Sequence, residues 1–502
     1  MTPAPWLQGL PDPERMRATD RWAIEERGIP GLELMERAGR GLADLVASVA
    51  PDGPIAVACG KGNNGGDGYV AARMLREAGR EVRVLAVAPV SELSGDARAN
   101  AERVNGVEPF DAARLADCSV AVDALLGTGF SGTAHGPVAD AIEALVACRL
   151  PIVAADVPSG VDAATGVVEG PAIRAHATAT FAEAKPGLWI NPGKAHAGAV
   201  HVVDIGIPQG AVPIDPPDVG LIEDPPLFAL LPSREAGWTK FTSGHVLVAG
   251  GSRGLTGAPT LASEAAQRAG AGYVTACVPA SAQPILAQRL LEAMTRALPE
   301  DDGAHTPAGV DTVLDLAQRG GALVVGPGLG RSDGALAFAR DLVARAEVPV
   351  VLDADGLNAH AGDLGALAGR RAPTILTPHE GELGRLLGIE SSAVAARRLE
   401  HARAAAAQAQ AIVVLKGDDT LVADPGGLVA VSPGASAALA TAGTGDVLSG
   451  VLAAVLSRGV EPFLAACAGV RLHARAGIHA AQEKGVDGVI ARDVVEALPF
   501  AR

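Results

Sequence analysis

Ala442-Gly443-Thr444-Gly445-Asp446-Val447-Leu448-Ser449-Gly450 reads as a glycine-rich turn feeding directly into a helix. From Val447 the apolar residues Val447, Leu448, Val451, Leu452, Val455 and Leu456 recur with the spacing of a buried helical face, which predicts a helix starting at or just before Asp446. Gly443 and Gly445 carry no Cβ, so the backbone can approach a ligand closely. The unpaired N–H groups of a first helical turn then point at that ligand, which makes the turn an anion site. Asp446 adds a carboxylate at the same spot, suited to taking or giving a proton; the other reading of the same residue is an N-cap after a flexible loop. Upstream, Ala411-Ile412-Val413-Val414-Leu415-Lys416-Gly417 is a short β-branched run ending in a Lys and a Gly. A buried strand there delivers an ammonium beside the glycine loop, an arrangement suited to nucleotide phosphate.

The first half repeats a strand-to-polar-loop theme. Leu32 to Ala50 is amphipathic and helical; Ile55 to Gly60 is a buried strand, followed by the polar glycine loop Lys61-Gly62-Asn63-Asn64-Gly65-Gly66-Asp67-Gly68 and a helix from Tyr69 to about Ala78. Ser119 to Asp123 is a strand ending in an acid, with the hydroxyl-bearing loop Leu126 to Thr133 after it; Pro151 to Asp156 is another, running into Val157-Pro158-Ser159-Gly160. In an α/β sheet, three strands that each end in a carboxylate or amide cluster converge on one crevice. Asn, Asp and Ser oxygens without Cys or His suit a hard cation better than a transition metal. Ala199 to Ile207 is a last strand, and the Pro-rich stretch from Pro208 to Pro226 reads as a linker. One domain therefore spans residues 1–215 and a second spans 225–502.

In the second half, strands at Val246–Gly251, Leu323–Val325, Pro349–Asp353 and Thr374–Thr377 each run into polar loops, and Pro259 to Ala269 is a helix. Asp353 and Asp355 alternate as if along a strand, so at most one of them faces a site. His379 follows the Thr377-Pro378 strand end; by itself it reads equally as a loop His bonded to its own backbone.

The composition narrows the class. A chain of 502 residues with 48% hydrophobic and 20% charged residues is ordinary globular protein, and a net charge of −16 without any basic run excludes a nucleic-acid surface as the main partner. Cys59, Cys118, Cys148, Cys277 and Cys467 lie far apart, with neither a disulfide framework nor zinc-ligand spacing. With no signal-peptide order at Met1–Pro13 and no membrane-length apolar run, the expectation is a cytoplasmic protein with no membrane partner.

Residues from about 230 onward, with Gly328-Leu329-Gly330, Asp353-Ala354-Asp355-Gly356-Leu357-Asn358, Thr377-Pro378-His379, Lys416-Gly417 and Gly443-Thr444-Gly445-Asp446, resemble the ribokinase-like family that dehydrates hydrated nicotinamide dinucleotides. Residues 1 to about 215, with Asn63 to Gly68, Asp123 to Gly129 and Asp156 to Gly160, resemble the epimerase family acting on the same damaged cofactors. The resemblance implies an α/β protein of two domains, a Rossmann-like three-layer αβα domain followed by a ribokinase-like one. It also implies a bifunctional isomerase and lyase: the first domain interconverts the R and S hydrates NADHX and NADPHX, and the second dehydrates the S form with ADP. Laid on this chain, it implies that Asn63, Asn64, Gly65, Gly66, Asp67, Gly127, Thr128, Gly129, Phe130, Ser131, Gly132, Thr133 and Asp156 hold the dinucleotide, with Asp123 and Asp156 catalytic. Asn64, Asp123 and Ser159 would ligate potassium. Ala258, Gly328, His379 and Asp446 would contact the hydrate, Asp446 as base, while Lys416, Gly417, Asp418, Asp419, Thr420 and Gly445 would contact ADP. Magnesium would neutralise the phosphates, with Glu382 as its candidate ligand, and a homo-oligomer is expected. Glu380 departs from the Pro of many relatives and adds a negative charge near the cleft. The rival reading is a ribokinase-like vitamin-alcohol kinase fused to a non-catalytic dinucleotide-binding module.

Overall fold

The computed structural model describes residues 4–208 and 215–502, so part of the expected linker, 209–214, lies outside the described residues. Two compact units emerge, with the change of unit falling at Val219–Gly220. Residues Ala4–Gln8, which the sequence reading placed with the first half, belong to the second unit. Strand Leu7–Gly9 lies next to Val219–Ile222 at one edge of the second sheet. A three-residue edge strand with mixed exposure carries too little periodicity to be read from sequence.

The first unit is a seven-stranded sheet in the order Val107–Pro109, Val82–Ala86, Ile55–Cys59, Val120–Ala124, Ile152–Ala155, Ala177–Phe181, Ala199–Val203. All of its pairings are parallel. Both faces are covered, as a parallel sheet requires. Val57 and Cys59 pack under helices Gly31–Val49 and Asn63–Glu77, while Ala56 and Ala58 face Ile142 and Leu145 of helix Gly136–Ala147. Chain order reverses between Ile55–Cys59 and Val120–Ala124, so a crevice opens at their carboxyl ends.

The second unit carries an eleven-stranded sheet. Its parallel core, from Met294–Leu298 through Tyr273–Pro279, His245–Ala249, Ala322–Val325, Val350–Leu352 and Thr374–Leu376 to Ile412–Leu415, continues into the antiparallel strands Leu421–Ala423 and Val429–Val431. Helix Thr444–Leu456 is buried along nearly its whole length. It lies so close to helix Gly257–Arg268 that a Cβ at Gly450 would stand 2.1 Å from the Ala262 carbonyl oxygen.

Candidate functional sites

In the first unit the expected loop Asn63–Gly68 is helical: the helix begins at Asn63 with Gly62 as its cap. Its glycines answer to packing. A Cβ at Gly65 would lie 2.1 Å from the Gly60 carbonyl oxygen, and one at Gly68 would lie 2.6 Å from Ala124 Cβ. Only glycine lets this helix start that close to the sheet. Gly66 is turned to Met35 and Ala97 and donates its N–H to the Gly62 carbonyl. Exposed Asn63 and Gly62 mark the open end of the helix, and the loop Gly127–Thr133 beside it is half-buried to exposed.

Asn64 and Asp156 both flank Gly127, at 3.1 Å and 3.2 Å from where a Cβ would stand. Asn64 Nδ2 donates to the Leu126 carbonyl (2.7 Å), yet Asn64 Oδ1 is buried with no partner. Asp123 is fully buried and accepts from Ser159 N (2.8 Å) and Ser159 Oγ (2.6 Å). No cationic side chain pairs with Asp123 among the described residues, and burial pushes its carboxyl up to about 6 despite the Ser159 bonds. An orphaned amide oxygen, a hydroxyl and an uncompensated carboxylate at one spot fit a hard monovalent cation.

Asp156 adopts a left-handed backbone (φ 62°), a conformation uncommon outside Gly, Asn and Asp. Its carboxylate accepts from Thr128 N (3.0 Å), from the Thr128 hydroxyl, and from Lys185 Nζ (2.7 Å). Lys185 is 1% exposed and also donates to Thr180 Oγ1 (2.9 Å) and the Phe181 carbonyl (2.8 Å). Burial would raise the Asp156 carboxyl, but the charge and hydrogen bond of Lys185, with the Thr128 bonds, outweigh it and hold the group below the usual range. Asp67 goes the other way: burial, then the charges of Asp156 and Asp20, push it well above its ordinary value against the pull of Lys185. Sequence reasoning missed Lys185 and Asp20. A lysine just past an undetected strand and an acid on the opening helix Pro13–Arg21 carry no motif.

In the second unit, helix Thr444–Leu456 starts two residues earlier than Asp446, after Gly443 in the left-handed region (φ 92°). Lys416 Nζ donates to Asp353 Oδ1 (3.1 Å) and lies 3.5 Å from Glu382 Oε2. Asp353, 2% exposed, also accepts from Ser449 Oγ (2.7 Å), one turn beyond Asp446. Asp353 and Asp355 do not alternate along a strand, because the strand ends at Leu352 and Ala354 takes a positive φ. Both are engaged: Asp355 accepts from Gly330 N and Arg331 Nε. The open side of Gly445 faces Lys416 Nζ and Asp353. Burial first, then the charges of Asp353 and Glu382, push the Asp446 carboxyl up to about 7 against Lys416.

The remaining predicted residues differ in what they touch. Ala258 and Gly328 meet: a Cβ at Gly328 would be 3.2 Å from Ala258 Cβ. His379 caps helix Glu380–Leu387, its Nδ1 accepting from Gly381 N and Glu382 N while Glu382 accepts from His379 N (2.9 Å), and its ring stays more than half exposed. Asp419 is 1% exposed and bonds the buried Arg398, which also binds Glu380 (2.6 Å) and the Leu415 and Lys416 carbonyls. The Glu380 charge is thereby paired. Thr420 closes a tight turn on Gly417. Among the described residues no three His, Cys, Asp or Glu side chains converge as a metal cage, and Glu382 is already occupied by His379 and Lys416.

Comparison with known proteins adds the following. Residues 246–500 match the family model described as NAD(P)H-hydrate dehydratase, and residues 31–187 match that of the YjeF-related protein N-terminus. The chain is 41% identical to the bifunctional NAD(P)H-hydrate repair enzyme Nnr of Moorella thermoacetica, across 97% of this chain and 95% of that one. It is 38% identical to the enzyme of the same name from Salinibacter ruber, across 96% and 94%. Among solved structures, an ADP/ATP-dependent NAD(P)H-hydrate dehydratase from Bacillus subtilis, co-crystallised with ATP/Mg2+, is 31% identical over 55% of this chain and 94% of that one, with a TM-score of 0.46.

Proposed function

The chain belongs to the bifunctional NAD(P)H-hydrate repair enzymes, an epimerase joined to a dehydratase, and from that premise we propose how each unit does its chemistry. The observation that carries the second half is Asp446, placed at a glycine-opened helix N-terminus beside the Lys416–Asp353–Glu382 cluster. Hydration of a dihydronicotinamide ring leaves a hydroxyl at carbon 6, next to the ring nitrogen. The nitrogen lone pair can expel it once it is turned into a better leaving group. Asp446, with a carboxyl near neutrality, takes the hydroxyl proton while the oxygen attacks the terminal phosphate of ADP and AMP leaves; the ring nitrogen lone pair then expels phosphate with the C6–O electron pair, and loss of a proton from carbon 5 restores the dihydronicotinamide. The amides of Gly445 and the first helical turn, with Lys416, stabilise the charge that develops on the phosphates. Ala258, Gly328 and His379 would contact the hydrate. Magnesium would enter on the nucleotide phosphates rather than in a protein cage, since Asp353 and Glu382 are already paired with Lys416.

In the first unit, the amides at Gly62–Asn63 and the open loop Gly127–Thr133 would receive the dinucleotide, and Asn64 Oδ1, Asp123 and Ser159 would hold potassium. When bound, the ion would supply a fixed positive charge favouring ionised Asp123 and tying together the loops after the two central strands. Asp156 faces the hydrate as a proton-transfer group.

The test is turnover of separated R and S hydrates. With ADP both epimers should disappear; without ADP they should interconvert and none should return to NAD(P)H. Phosphorylation of a vitamin alcohol by ATP with both hydrates untouched would instead establish the kinase reading.

A further inference from the structure

Epimerising carbon 6 needs two opposite acts at one site, since a hydroxyl must leave protonated and a water must return deprotonated. Asn64 and Asp67 share one face of helix Asn63–Glu77, three residues apart, and Asn64 and Asp156 both border Gly127. The two acids thus belong to one crevice. The charged groups reaching it are Asp20 from helix Pro13–Arg21, Asp67, Asp156, and Glu183 and Lys185 from the segment after strand Ala177–Phe181. Four carboxyls therefore stand around a single cation.

That cation is not symmetrically placed. Lys185 Nζ makes three bonds: Asp156 Oδ1 (2.7 Å), Thr180 Oγ1 (2.9 Å) and the Phe181 carbonyl (2.8 Å). All three ammonium protons are used, and the side chain is sealed from solvent. Lys185 therefore has no donor left for substrate, and touches one of the four carboxyls only.

Resting on the epimerase reading of this unit, we propose that Lys185 is a positioning residue that fixes Asp156 as the proton acceptor, leaving Asp67 as the proton donor. Asp67 gives its proton to the C6 hydroxyl; the C6–O bond breaks, its electron pair leaves with the oxygen as water, and the ring nitrogen lone pair forms the iminium. A water then forms the new C6–O bond and loses a proton to Asp156. Returning that proton from Asp156 to Asp67 closes the cycle, with one water released and one consumed. The Thr128 hydroxyl also donates to Asp156. Asp20 adds a negative charge that helps keep the proton on Asp67.

The experiment uses the full chain and its own two activities. Lys185→Met is expected to lower kcat for epimerisation by about 10²-fold with KM changed little, to leave dehydration at its normal rate, and to move the acid limb of the epimerisation pH profile upward by about one unit, so that higher pH partly restores the rate. Asp67→Asn should cost a similar factor and abolish the alkaline limb. Should Lys185→Met fold poorly, Lys185→Met/Asp156→Asn removes both charges, and its rate should equal that of Asp156→Asn alone. An unmoved acid limb in Lys185→Met, a double variant slower than Asp156→Asn, or normal kcat in Asp67→Asn would overturn the proposal. A wild-type chain that cannot interconvert the epimers would overturn the epimerase reading itself.

Discussion

Asp156 and Asp446 are both half-buried aspartates with a lysine close by, yet their carboxyls move in opposite directions. Asp156 is held below the usual range, because Lys185 bonds it directly and is itself buried behind it. Asp446 is pushed up to about 7, because its lysine, Lys416, bonds Asp353 instead and two further carboxylates face it. Nearness of a cation is therefore a poor guide to charge state; the carboxylate that receives the hydrogen bond decides it. One unit keeps a permanent anion for proton return, and the other keeps a carboxyl poised to trade its proton near neutral pH.

This contrast can be broken at several points. The largest expected effect is Asp156→Ala, which should lower epimerisation by about 10³-fold or more while dehydration continues, measured with separated epimers. Asp446→Asn should do the converse, lowering ADP-dependent dehydration by about 10²–10⁴-fold with epimerisation intact. Lys416→Met should weaken ADP binding by about tenfold or more in calorimetry and move the acid limb of dehydration to higher pH, since the ammonium paired with Asp353 and Glu382 is gone. The smallest effect belongs to the cation site. Potassium in place of lithium should raise the unfolding temperature of the first unit by a few degrees, about what modest site saturation provides, and Asn64→Ala should erase that difference.

Much of this was legible in the sequence because it follows from local periodicity. The strands ending at Cys59, Ala124, Ala155 and Leu415 are short apolar runs, and Gly443–Asp446 sits where a helical stripe begins. What failed depended on tertiary packing. The glycines of Asn63–Gly68 looked like a loop, but they are helical because the sheet lies too close for any side chain. Asp419 lies in a run expected to contact nucleotide, and its bond to Arg398, twenty-one residues away, could not be read from spacing. Lys185 and Asp20 could not be found by spacing, since their meaning comes only from Asp156, reached through the fold.

The carboxyls of the two aspartates are shifted in opposite directions, and thermal unfolding of the isosteric Asn variants at pH 8 reads this directly. A carboxyl raised in the folded state contributes stability that is complete below its unfolded value near 3.8 and lost as pH rises through about 7. A lowered one contributes stability above its unfolded value that is lost only as pH falls. Asp446→Asn should therefore raise the unfolding temperature of the second unit at pH 8, and Asp156→Asn should lower that of the first by stranding Lys185. Shifts of the same sign in both variants would contradict it.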